Sequence, residues 1–98
     1  MRVSDEAAER VRKIFQIMSH PVRRTILEML EDSKGTYYNA LKSWLCVPDS
    51  TLRYHLKKLT NAKFVKRSGK DYTITDVGGK ILKHSKEFNE AMARFEND

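Results

Sequence analysis

The sequence predicts a mainly α-helical domain with one small β-hairpin, an α+β class with extended helices at both ends. Three observations predict it. Apolar residues recur at spacings of three and four through five separate segments. The pattern changes to short β-type runs only across residues 64–75. Proline, glycine and capping side chains fall between these segments. The 98 residues suit a single domain spanning 1–98. A core of that size is thin, so a second subunit could add to its stability.

The first helix is expected over residues 4–19. Ser4 and Asp5 offer its N-cap, and Glu6 and Glu9 suit its positive end. Ala7, Val11, Ile14 with Phe15, and Met18 form one apolar stripe. Ser19-His20-Pro21 interrupts it, because proline disfavours helix in the residue before it and suits the first turn of the next. A second helix follows to about Asp32, with Val22, Ile26, Met29 and Leu30 inward and Gly35 placed as its C-cap. Thr36-Tyr37 reads as a short extended link, one strand at most. A third helix spans 38–45 with Tyr38, Leu41 and Leu45 on one face. After Cys46-Val47-Pro48-Asp49, Asp49 caps a fourth helix over 50–61, held inward by Leu52, Leu56 and Leu59. Phe64–Arg67 and Tyr72–Thr75 form the hairpin, joined through Ser68-Gly69-Lys70-Asp71. Thr75-Asp76 opens a last helix over 76–96. Its stripe of Val77, Ile81, Ser85, Phe88, Met92 and Phe95 approaches a heptad seam, and Gly78 and Gly79 weaken its first turn.

Composition narrows the function. Hydrophobic residues make up 40% and charged residues 33%, a globular balance rather than a disordered one. No apolar run exceeds four residues, which excludes a membrane span and a secretory signal, so the expected location is cytoplasmic. The single cysteine, Cys46, excludes an internal disulfide and a multi-cysteine zinc site within one chain. Net charge is +6, and its distribution says more than its size. Seven basic residues and no acidic one lie between Ser50 and Lys70, leaving 12 basic against 13 acidic residues elsewhere. A cationic segment on an otherwise balanced chain suits a polyanionic partner, although a solvated lysine-rich face has the same composition.

Helices three and four, joined by about four residues, form a helix-turn-helix over 38–61, and a basic hairpin follows. With its leucines turned inward, the fourth helix leaves Ser50, Thr51, Arg53, Tyr54, Lys57 and Lys58 on its outer face. A helix of that width fits the major groove of double-stranded DNA. Lys66, Arg67 and Lys70 of the hairpin would then lie along the adjacent backbone or minor groove.

These residues resemble a known family, the winged helix-turn-helix proteins. The likeness is to the arsenic-repressor-like (ArsR-like) transcriptional regulators of bacteria, archaea and archaeal viruses, and to members of non-metal-sensing archaeal or archaeal-virus type. The likeness rests on His20-Pro21-Val22-Arg23-Arg24-Thr25-Ile26-Leu27 and on Asp49-Ser50-Thr51-Leu52-Arg53-Tyr54-His55-Leu56-Lys57-Lys58-Leu59. Phe64-Val65 through Thr75, with Gly78, look like the wing (64–75) and the helix start after it. The resemblance implies a sequence-specific regulator, a homodimer through its first and last helices. Metal-sensing members carry a Cys-x-Cys pair that is missing here. His84 and Glu87 could imitate half of a second known metal site, but Asp71-Tyr72-Thr73 lacks the partnering histidine. No metal and no cofactor are therefore expected. Relatives often have a turn glycine where this chain has Cys46.

Several residues admit two readings. Arg53 is either a base reader or a phosphate contact. Tyr54 reaches DNA or covers a groove between helices. Asp49 reads as a cap before a cytosine reader, and His55 as a packed structural histidine. Trp44 reads as packing that could border a dimer surface, and Cys46 as inert, with an inter-subunit disulfide or redox role as the alternative. Arg23 and Arg24 either touch phosphates or pair with Glu28 and Glu31. Val11, Ile14, Phe15, Met18, Ile81, Phe88, Met92 and Phe95 are expected at a homodimer interface, because their stripes are too large for so small a core. The rival is a last helix folded back on the first. A two-fold dimer would set its recognition helices about 34 Å apart, one turn of DNA. A non-specific nucleic-acid or protein-interaction module is the alternative function. An enzyme is not expected, since His20, His55 and His84 sit on separate elements with no nucleophile–base spacing.

Overall fold

A computed structural model describes residues 4–97. Residues 1–3 and 98 of the expected domain lie outside the described residues. The order is α1 (Asp5–Met18), α2 (Pro21–Ser33), β1 (Thr36–Tyr37), α3 (Tyr38–Leu45), α4 (Asp49–Asn61), β2 (Val65–Ser68), β3 (Asp71–Ile74) and α5 (Asp76–Asn97). The strands form one antiparallel sheet in the order β1-β3-β2. The fold class is the expected one, a helical α+β winged helix, with Thr36-Tyr37 recruited as a third strand through Thr36 opposite Tyr72.

Local chemistry explains most boundaries. The Ser4 hydroxyl accepts from the Ala7 N–H and opens α1. Pro21 starts α2, where its missing N–H costs nothing. The expected Gly35 cap is corrected by one residue. Lys34 takes the left-handed conformation at the end of α2, and its N–H and that of Gly35 both donate to the Leu30 carbonyl. The hairpin is tighter than expected. Ser68 pairs with Asp71, so Gly69-Lys70 alone make the turn, with Gly69 at φ 61°. At the start of α5 the Thr75 hydroxyl accepts from the Gly78 N–H and donates to the Lys63 carbonyl, fastening helix to hairpin.

Ile26, Leu27 and Leu30 of α2 meet Leu52, Leu56 and Leu59 of α4 in the core, closed by Leu41, Phe64, Val65 and Leu82. Leu27, absent from the expected inward set, is fully buried. Two expectations fail here. Met18, assigned to a dimer surface, is 7% exposed and belongs to this core, because the turn at Ser19 brings the end of α1 onto α2. Trp44, assigned to packing, is 52% exposed, because it stands at the edge of the α3 stripe whose centre is Leu41.

Cys46 ends α3 at φ 54°, in the left-handed region. That conformation costs an L-residue roughly 1–2 kcal/mol, while glycine adopts it freely and loses more backbone entropy on folding. Cys46→Gly is therefore expected to stabilise the protein by about 0.5–1 kcal/mol. Thermal unfolding of the two proteins checks this, and an unchanged or lower midpoint would show that the turn carries no strain.

Candidate nucleic-acid interface

The outer face of α4 follows from its helical period. With Leu52, His55, Leu56 and Leu59 buried, Ser50, Arg53, Tyr54, Lys57 and Lys58 are left exposed and Thr51 half-buried. The wing residues Lys66, Arg67 and Lys70 are exposed, as is Lys63 between helix and wing. All seven cations of the 50–70 segment are therefore open to solvent, and none of them meets a carboxylate from within that segment.

One flank of α4 runs toward the wing. Asp49 is not the expected N-cap. Pro48 occupies that position without a side-chain bond, and Asp49 sits in the first turn of the helix. Its carboxylate accepts from the Tyr38 hydroxyl and from Arg53 Nε at 2.8 Å, and Lys42 Nζ lies 3.6 Å away. The Tyr38 hydrogen bond, followed by that of Arg53, lowers the Asp49 carboxyl to about 2, so it stays charged as acidity rises. Burial and the Asp49 hydrogen bond raise the Tyr38 phenol above its ordinary value. Asp49 thereby ties α3 to the start of α4 and holds Arg53, whose guanidinium lies 4.7 Å from the Tyr38 ring centroid. Tyr72 of β3 stands near enough to Tyr38 and Arg53 to influence the proton affinity of both. Arg67 of β2 lies opposite Tyr72, 5.7 Å from its ring. Arg53 over Tyr38 beside α4 and Arg67 over Tyr72 on the sheet are thus two cation–aromatic pairs, in which aromatic faces support the cations.

The other flank meets α2. His55 is buried, as expected of a packed histidine, and its Nδ1 accepts from Arg23 Nε at 3.0 Å. Burial, then Arg23, then His20 lower its affinity for a proton, so the ring is a neutral acceptor. Arg23 therefore neither pairs with Glu28 or Glu31 nor stands on the surface. It is 4% exposed, while Arg24 donates to the Met18 carbonyl at 2.8 Å. The burial of Arg23 was legible in the sequence, since it precedes Ile26, Leu27 and Leu30 at the three-four spacing of the core stripe. Tyr54 is exposed between two cations, with Arg23 and Lys58 at 5.7 and 5.6 Å from its ring.

On the far side, Val11 and Phe15 of α1 are exposed. Ile14 and Ile81 are half-buried against the core. Phe88, Met92 and Phe95 are 59%, 42% and 76% exposed, and every residue from Lys86 to Glu96 faces solvent. Within one chain, α5 does not fold back to cover its own stripe. His84 and Glu87 form an i,i+3 pair at 3.4 Å. Among the described residues no helix is long and apolar enough to cross a membrane.

The family model described as "Domain of unknown function (DUF7347)" matches residues 11–84. No curated protein matches the chain. Among solved structures, the crystal structure of an ArsR family transcriptional regulator is similar at a TM-score of 0.65 and 15% sequence identity. The match covers 96% of this chain and 97% of that one. The likeness extends to the long helices at both ends and shows a shared winged-helix fold.

Proposed function

The chain belongs to the DUF7347 family, for which no function is described, and from that premise we propose that it is a sequence-specific regulator of transcription that binds double-stranded DNA as a homodimer. One observation carries the proposal. Seven exposed cations lie on a helix of groove width, on the hairpin beside it and, with Lys63, on the link between them, without an acidic residue between Ser50 and Lys70. The fold shared with an ArsR family transcriptional regulator supports the same reading. In it, α4 enters the major groove, and Ser50, Thr51, Arg53 and Tyr54 meet base edges or the sugars beside them. Lys57, Lys58, Lys66, Arg67 and Lys70 neutralise phosphates. The chemistry is binding rather than catalysis.

The exposed stripe on α1 and α5 supports the homodimer. Val11, Phe15, Phe88, Met92 and Phe95 would form an adhesive patch on a monomer, and a two-fold partner buries it. A dimer also presents two recognition helices to one face of a duplex.

Selection from random duplex DNA, with the mass in solution measured alongside, tests both halves. A dimeric mass and an enriched pseudo-palindrome are expected. Arg53→Ala is expected to change the preferred bases, with a loss of about 1–3 kcal/mol on the original site. An unchanged preference would remove Arg53 from base readout. A pool that enriches no motif would replace the regulator reading with a non-specific nucleic-acid module.

A further inference from the structure

A cleft of about 810 Å³ opens between α1, the start of α2 and the side of α4. Arg23 stands in its wall, 4% exposed, a degree of burial at which a charge is ordinarily paired. Here it is not. Arg23 Nε donates to the neutral ring of His55, and no carboxylate lies within ion-pairing distance of the guanidinium among the described residues. The other charged residues of the cleft are Arg10, Lys13 and Lys58, with His20 beside them and no Asp or Glu. Among the described residues none of these three cations takes part in an ion pair either. The cleft reaches the start of α2 at His20 and Arg23, where the N-cap His20 makes no side-chain bond. The remaining lining is largely apolar, including Ile17, Phe64 and Val77.

From this arrangement we propose that the cleft is a binding site for a small organic anion, with its oxyanion head on Arg23 and its apolar body against Ile17 and Phe64. The volume suits a ligand of metabolite size. The guanidinium supplies two N–H groups in a fork that matches a carboxylate or phosphate. Arg23 sits beneath Tyr54, at 5.7 Å from its ring, where a small molecule enters more readily than a duplex backbone. Tyr54 and Lys58 belong both to the cleft and to the outer face of α4, so occupancy alters DNA affinity. Only this last consequence rests on the DNA-binding reading.

The full chain is titrated with phenyl phosphate, with inorganic phosphate as a head-only probe and benzyl alcohol as a body-only probe. The ring NMR signals of the three histidines report the result. Phenyl phosphate is expected to shift His20 and His55 and leave His84, which borders a separate groove between α1 and α5. Both partial probes bind at least about tenfold more weakly. Arg23→Met, close in volume and without charge, is expected to weaken phenyl phosphate about tenfold or more. The surface double variant Arg10→Ala/Lys13→Ala weakens it severalfold and supplies the test if Arg23→Met does not fold. Shifts at His84 alone, equal binding of benzyl alcohol, or no loss in the double variant would overturn the proposal. A duplex that shifts His20 and His55 where phenyl phosphate does not would also overturn it, by giving the uncompensated charge to the DNA backbone. Loss of DNA binding as a function leaves the expected histidine shifts standing, so the two failures are distinguishable.

Discussion

Gly78→Ala is expected to destabilise the protein by about 3 kcal/mol, the upper end of overpacking costs in a well-packed core. A methyl group at this position would lie 2.2 Å from the Phe64 carbonyl oxygen and 3.0 Å from the Ile74 side chain. The oxygen is backbone and is already engaged, since it accepts from the Thr75 N–H at 3.0 Å. Relief therefore requires α5 to move away from the start of the wing, disturbing the Thr75 cap that fastens the two. For a chain of this size the loss corresponds to a fall in Tm of roughly 12–24 °C. The neighbouring Gly79→Ala has open space and removes only a helix-weakening glycine. It is expected to stabilise by roughly 0.5–1 kcal/mol. Thermal melts of the two variants side by side make the test. Similar melts would mean that contact with Phe64 does not govern the first turn of α5.

Joint replacement of Lys66, Arg67 and Lys70 with alanine is expected to weaken duplex binding on the order of a hundredfold per half-site at 0.15 M salt. Each phosphate neutralised contributes about 0.9 to the slope of log affinity against log salt. Three contacts on each protomer give about 2.7 per half-site, roughly two orders of magnitude at that salt, and about 5.4 for the dimer on a full site. The loss should be equal for preferred and scrambled duplexes, because phosphate contacts position the protein without reading sequence. Arg67 additionally lies over Tyr72, so the variant also removes that cation–aromatic contact within the sheet. Fluorescence anisotropy across a salt series provides both numbers. An unchanged slope would place the wing off the DNA.

Helix positions, the helix-turn-helix spacing and the basic segment were legible in the sequence, because each is a local property. Leu52, Leu56 and Leu59 specify which side of α4 faces inward, and that choice leaves Arg53, Tyr54, Lys57 and Lys58 outward without reference to the rest of the chain. Side chains that serve two elements were harder to read. Asp49 looks like a cap in one dimension, yet in space its carboxylate is taken by Tyr38 and Arg53, and Pro48 stands at the helix start instead. Arg23 lies on the core stripe of α2, but its partner, His55, stands 32 residues along the chain. Met18 and Trp44 exchanged their expected environments, because one helix turn at the end of a stripe decides between core and solvent.

The order of elements, the charge asymmetry and the two long apolar stripes are properties of the amino-acid sequence by itself, since periodicity, capping and charge require only near neighbours. The tertiary structure alone decided which stripe residues the core absorbs and which remain bare. It also decided that Gly78 stands against a carbonyl rather than merely loosening a turn. Finally, it placed the buried Arg23 in a cleft that no Asp or Glu lines among the described residues. Each of these depends on atoms far apart in the chain coming within a few ångströms, where excluded volume and unscreened charge act and sequence spacing carries no information.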